Sequence, residues 1–176
     1  MTLPNKLTLS RVIAAPVIML FAQLSFSGHG AIAGILFIAA CVTDALDGYL
    51  SRKNHQVSSF GKIMDPIADK VLILAALLPL MAVGRVSIWI GLILLVREFI
   101  VAAVRMQVYI RGGAIIAASL WGKLKTVFQD IAFALLLLNM PALSVLADVI
   151  LAAAVILTVV SMADYCWKHR DIFAGV

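Results

Sequence analysis

Four aspartates stand out first. Asp44, Asp47, Asp65 and Asp69 fall within 26 residues of a chain that has only nine acidic residues in all. The pairs are spaced three and four apart, which sets each pair on one face wherever the chain is helical. Four close carboxylates repel one another, so they are tolerable only if some are protonated or cations neutralise them. All-oxygen donors of this kind select magnesium, manganese or calcium. Two divalent ions would balance the four charges, polarise a phosphate diester and bind its leaving group. The competing reading pairs the carboxylates with Arg52, Lys53, Lys62 and Lys70 in salt-bridged loops. Regular spacing of Asp, with no Glu among the four, favours a geometric demand over such loops.

The neighbours of the aspartates suit the same chemistry. Gly48 follows Asp47, and Gly61 precedes Asp65 by four. A glycine lets a nucleotide approach the backbone closely, although helix capping or tight helix contact would use it equally well. Arg52 can grip a pyrophosphate through two parallel hydrogen bonds, or anchor the chain at a membrane surface. Asn5, Thr8 and Arg11 can reach a nucleotide or phosphate from the first helix, or serve as helix-start and anchoring residues.

The chain that must position these groups is unusually apolar. It has 176 residues, 64% of them hydrophobic and 13% charged, with a mean hydropathy of +1.09. Soluble domains are about half apolar and about a quarter charged, and a core of this size could not hide the excess. The expected solvent is a bilayer, and the expected fold is an all-α integral membrane domain covering 1–176. Six stretches approach the roughly 20 apolar residues that a helical span needs: about Leu7–Ser25, Ala31–Leu50, Lys62–Ala82, Ser87–Ile110, Lys123–Leu138 and Ser144–Cys166. Turn chemistry separates them at Ser27-Gly28-His29-Gly30, Val83-Gly84-Arg85, Arg111-Gly112-Gly113 and Asn139-Met140-Pro141.

Basic residues orient the spans. With both termini cytoplasmic, Lys6, Arg11, Arg52, Lys53, Lys62, Lys70, Arg97, Arg105, Arg111, Lys123, Lys125, Lys168 and Arg170 fall toward the cytoplasmic side, Arg97 from mid-span, and Arg85 falls outside. That is the positive-inside pattern of six transmembrane helices. The net charge of +5 therefore points to cytoplasmic loops and anionic lipid heads, and no nucleic-acid partner is expected. Cys41 and Cys166 form no CxxC and read as reduced packing thiols, and the three histidines share no ligand spacing. Trp89, Trp121, Trp167 and Tyr165 are expected at the membrane interfaces. Ser119, Thr126 and Gln129 can form hydrogen bonds between helices, and Arg97 with Glu98 can form a buried ion pair.

Asp44-x-x-Asp47-Gly48-x-x-Ser51-Arg52, then eight residues, then Gly61-x-x-x-Asp65-x-x-x-Asp69, resembles the signature of the CDP-alcohol phosphatidyltransferases, D-x-x-D-G-x-x-A-R-x8-G-x-x-x-D-x-x-x-D. Seven of its eight fixed residues match with the spacing intact, and Ser51 replaces an alanine with another small residue. Pro4–Arg11, Gly61–Lys70, Arg97-Glu98-Phe99 and Gly122–Thr126 extend the resemblance to a branch whose acceptor is sn-glycerol 3-phosphate.

The resemblance implies a metal-dependent transferase of phospholipid biosynthesis in the cell inner membrane, with the active site facing the cytoplasm. Its partners would be CDP-diacylglycerol, sn-glycerol 3-phosphate, membrane lipid and a second copy in a homodimer. Ala152, Ala153 and Ala154 are small enough to pack a helix pair. Asp44, Asp47 and Asp65 would be the main ligands of Mg2+ or Mn2+, two ions in all, and Asp69 the general base that also shares a metal. Asn5, Thr8, Gly48, Arg52 and Gly61 would hold the CDP-lipid. The acceptor brings its own phosphate, for which Arg105, Lys123 and Lys125 are the candidates, while Arg111 reads as an anchor. Another acceptor (inositol phosphate, serine or phosphatidylglycerol) would leave the aspartate signature unchanged. A small cation transporter could use the same carboxylates as an ion site, but such sites usually lie at midplane.

Overall fold

The computed structural model describes residues 3–53, 59–110 and 119–168, with side chains described for 9–46, 67–104, 107 and 119–168. Six α-helices account for nearly all of them: α1 (Leu3–Gln23), α2 (His29–Lys53), α3 (Ser59–Ala82), α4 (Ile88–Ile110), α5 (Leu120–Leu138) and α6 (Ser144–Lys168). A single 3-10 turn, Pro141–Leu143, leads into α6. Among the described residues there is no strand.

Each helix coincides with one apolar stretch, and all but α4 run beyond it at one or both ends. The helix α1 starts at Leu3 where the apolar run starts near Leu7, and α2 continues through Arg52 and Lys53. Backbone hydrogen bonding continues whether or not the side chains suit lipid, so hydropathy marks the lipid-compatible part of a helix and not its ends. Among the described residues two helices are long and apolar enough to cross a membrane by composition, over His29–Leu46 and Pro141–Lys168, and the apolar part of α1, Leu9–Gln23, is shorter. The outward faces are oily throughout: Ile13, Leu20, Ile35, Trp89, Val145, Val149 and Ile156 are all more than half exposed. A face of that composition is suited to lipid tails, not to water.

The helices group into two compact units, Met1–Val86 with Phe133–Ala147, and Ser87–Ala132 with Asp148–Val176. In the first, α1 packs along both α2 and α3, which touch each other far less. Its core is Ala15, Ile18, Ala33, Phe37, Ala68, Leu72, Leu77 and Phe133. Gly30 and Gly34 let α2 come hard against the end of α5. A Cβ on Gly30 would lie 2.7 Å from the Leu137 carbonyl oxygen, and one on Gly34 would lie 2.8 Å from the Leu138 side chain. This is the small-xxx-small device of membrane helix pairs, and Phe37 meets Phe133 at 6.5 Å between ring centroids with the rings tilted by 59°. The helix α3 closes on Gly84 at φ +72°, with the Arg85 amide donating to the Leu80 carbonyl, a Schellman cap that only a residue tolerant of left-handed backbone can complete.

In the second unit Val101, Val104 and Tyr165 form an apolar cluster. Tyr165 is 4% exposed, so it belongs to the core and not to an interface belt. Its register explains this: the buried stripe of α6 runs Ala147, Leu151, Ala154, Thr158, Ser161, Tyr165, in steps of three and four. Trp89, Trp121 and Trp167 are exposed, as belt residues would be. Ala154 is fully buried by its own chain, which leaves Ala152 and Ala153 as the outward small residues. Cys41 and Cys166 are half-buried and not joined in a disulfide.

Candidate active site

The aspartates stand on two helices of the first unit, Asp44 and Asp47 late in α2, Asp65 and Asp69 in the first half of α3. Helical geometry holds each pair on one face. The side chains of Asp47 and Asp65 lie outside the described residues, as do those of Asn5, Thr8, Gly48, Arg52 and Gly61; all seven positions fall within helices α1, α2 and α3.

Asp44 is reached from α1. Arg11 Nη1 donates to Asp44 Oδ1, and the Arg11 side chain is 2% exposed against 45% for Asp44. A guanidinium cannot be buried without charged or polar partners, so this contact fixes the depth at which α1 crosses α2. Thr43, beside Asp44, turns its hydroxyl back to the carbonyls of Ala39 and Ala40 at 2.9 and 2.8 Å. Asp69 is 40% exposed and accepts a hydrogen bond from Lys70 Nζ at 3.2 Å. An exposed pair of that kind contributes little to stability.

Four aspartates on two helices offer the donor type that a hard cation takes. Every candidate atom is an oxygen, and carboxylates at two helix registers can converge on one or two ions. Among the described residues no three His, Cys, Asp or Glu groups come within reach of one ion; Asp47 and Asp65 are outside that set. The Arg11 contact is compatible with a cation at Asp44, because a carboxylate accepts at both oxygens.

The second unit holds a buried charge cluster. Glu98 Oε1 accepts from Arg97 Nη1 at 2.9 Å and from Lys125 Nζ. Arg97 Nε donates to Ser161 Oγ at 3.3 Å, and Ser161 Oγ donates to the Thr158 carbonyl at 3.1 Å. Arg97, Glu98 and Lys125 are all under 10% exposed. Gly122 makes room for the guanidinium: a Cβ there would sit 3.1 Å from Arg97 Nη2. Ser119 caps α5 by accepting the Gly122 amide at 3.1 Å, and Thr126 Oγ1 donates to the Gly122 carbonyl at 3.1 Å. Both hydroxyls therefore make bonds local to α5 and not the interhelical bonds their sequence allowed.

Of the acceptor-phosphate candidates, Lys125 is fully buried and held by Glu98, and Lys123 is exposed. Arg105 falls in α4 with its side chain outside the described residues, and Arg111 lies outside them altogether. The Arg97–Glu98 pair matches the sequence reading. Lys125 as a second partner of Glu98 does not follow from sequence, since the two are 27 residues apart with no periodic link.

The described residues are helical with apolar outward faces and carry four aspartates on two helices, the features of a membrane protein with a carboxylate site, and comparison gives the family. Residues 1–160 match the CDP-alcohol phosphatidyltransferase family; the chain belongs to it. It is 41% identical over 175 residues to a "Probable phosphatidylglycerophosphate synthase" of Mycobacterium tuberculosis (strain CDC 1551 / Oshkosh), covering 97% of this chain and 83% of that one. It is 40% identical over 185 residues to the "CDP-diacylglycerol--glycerol-3-phosphate 3-phosphatidyltransferase" of Bacillus subtilis (strain 168), covering 96% and 95%. A protein of the same name from Rickettsia typhi is 34% identical over 176 residues, covering 97% and 98%.

Proposed function

We propose that the protein transfers a phosphatidyl group from CDP-diacylglycerol to sn-glycerol 3-phosphate, giving phosphatidylglycerophosphate and CMP. The observation that carries this reading is the likeness, over nearly the whole chain, to relatives bearing that activity in their names, joined to an intact aspartate motif on α2 and α3.

In the reaction the acceptor hydroxyl oxygen bonds to the phosphorus that carries diacylglycerol. The phosphoanhydride bond to CMP breaks, and the hydroxyl proton passes to Asp69. Arg52 offsets the charge that develops on the departing CMP phosphate. Asn5, Thr8, Gly48 and Gly61 line the CDP-lipid pocket. Arg105, Lys123 and Lys125 hold the acceptor's own phosphate. Asp44, Asp47, Asp65 and Asp69 would hold Mg2+ or Mn2+, two ions in all, which supply Lewis-acid stabilisation of the phosphate charge when bound.

The chain spans the inner membrane six times, with both termini and the active site on the cytoplasmic side, and it works as a homodimer. Support comes from the distribution of basic residues and the apolar outward faces, with Ala152 and Ala153 as outward small residues for a helix pair.

The test is CMP release by purified protein in lipid, with CDP-diacylglycerol, and with Mg2+ or Mn2+ and glycerol 3-phosphate each added or withheld. Release that requires both supports the reading. Release with a different alcohol only would keep the family and overturn the acceptor.

A further inference from the structure

Gln129 is the one residue of the second unit's polar cluster that the contacts above do not use. It is fully buried, and neither Nε2 nor Oε1 has a hydrogen-bond partner among the described residues. Burying an amide with both ends unpaired is unfavourable compared with an apolar side chain of the same size. A folded chain that keeps such a group at the centre of a helix face has an amide ready for a partner that arrives later.

Its position indicates which partner. Gly122, Lys125 and Gln129 form one buried stripe on α5, and Gln129 lies one turn beyond Lys125. One turn is about 5.4 Å along the axis, comparable to the reach of a short phosphorylated polyol from its phosphate to its hydroxyls. The side chains around the stripe are specialised otherwise. Lys125 can only donate, and Glu98, whose Oε1 accepts from Lys125 and Arg97, can only accept. A neutral hydroxyl is at once donor and acceptor, and the side chain that matches it reciprocally is an amide.

We propose that Gln129 is the residue that recognises the non-reacting hydroxyl of the acceptor alcohol. It thereby selects glycerol 3-phosphate over phosphorylated alcohols that lack that group. This rests on the reading of Lys125 as a ligand of the acceptor phosphate. A site built to hydrogen-bond a substrate hydroxyl discriminates strongly, because the analogue leaves a buried polar group unpaired.

The experiment compares Gln129→Met with the unaltered protein in lipid, using glycerol 3-phosphate and 3-hydroxypropyl phosphate, which lacks the middle hydroxyl. The unaltered protein is expected to prefer glycerol 3-phosphate. In the variant kcat/KM for glycerol 3-phosphate falls about tenfold or more, while that for the analogue is unchanged or rises, so the preference collapses. The thermal midpoint without substrate stays level or rises, since a lone buried amide has been replaced by an apolar side chain of similar size. An equal loss for both acceptors or an unchanged preference overturns the assignment. If the Met variant does not fold, Gln129→Asn withdraws the amide by one methylene and must show the same loss of preference, or the assignment falls. A Lys125→Met protein with an unaltered KM for glycerol 3-phosphate overturns the phosphate reading instead, and is recognised independently of Gln129.

Discussion

Arg11 on α1 donates to Asp44 on α2 across 33 residues of sequence, so the first aspartate of the motif is held by a helix that lies outside the motif. The aspartate helices α2 and α3 share few contacts with each other and many with α1. Among the described residues α1 thus packs against both aspartate helices, and Arg11 fixes its depth against α2.

Arg11→Met is expected to lower CMP release by about tenfold to a hundredfold, since a small misplacement of a reacting group costs on that order. Asp44→Asn acts on the same contact, so the double variant should be no worse than the more damaged single one. Independent, multiplying losses in a double-mutant cycle would show that Arg11 does not act through Asp44.

Asp69→Asn keeps the size of the side chain and removes the base. Turnover should fall at least about a hundredfold, with the KM for CDP-diacylglycerol little changed. The check is steady-state CMP release, and near-normal turnover would remove Asp69 from the role of base.

The two lysines of α5 should respond differently. Lys123 is exposed and Lys125 buried, so Lys123→Gln should raise the KM for glycerol 3-phosphate only a few-fold, screened by solvent as surface charges are. Lys125→Met should raise it more. Equal, negligible shifts in both would count against an acceptor-phosphate role for this turn of α5.

Glu98 is the shared counter-charge of Arg97 and Lys125, all three buried. Glu98→Gln leaves two buried cations without it, a change of the kind that costs about 3–5 kcal/mol. The thermal midpoint in detergent should fall by several degrees, and adding Lys125→Met should recover part of the loss. No change in the midpoint would mean that the cluster is not held by Glu98.

Gly30→Ala places a Cβ 2.7 Å from the Leu137 carbonyl oxygen, and backbone cannot yield as a side chain end can. The expected cost is about 1–3 kcal/mol through overpacking. Gly34→Ala meets mainly the Leu138 side chain and should cost less. The thermal midpoints of the two variants, compared in one detergent, test that order.

By itself the sequence determined the helical class, the six apolar stretches and the aspartate motif. These depend on composition and on spacings of three and four, which local helix geometry converts directly into faces. The turns at Gly28 and Gly84 were legible for the same reason, since left-handed backbone selects glycine locally. Partner choice was not legible. With fourteen basic and nine acidic residues, nothing local selects Arg11 for Asp44 or Lys125 for Glu98; the packing of helices far apart in sequence does. Tyr165 shows the same limit. Its amphipathic ring suits an interface or a core equally, and only its place on the buried stripe of α6 decided for the core. Gln129 reads in sequence as an ordinary interhelical donor. Only the tertiary structure shows it buried with both ends of its amide unengaged, because hydrogen-bond satisfaction depends on every neighbour that folding brings within reach.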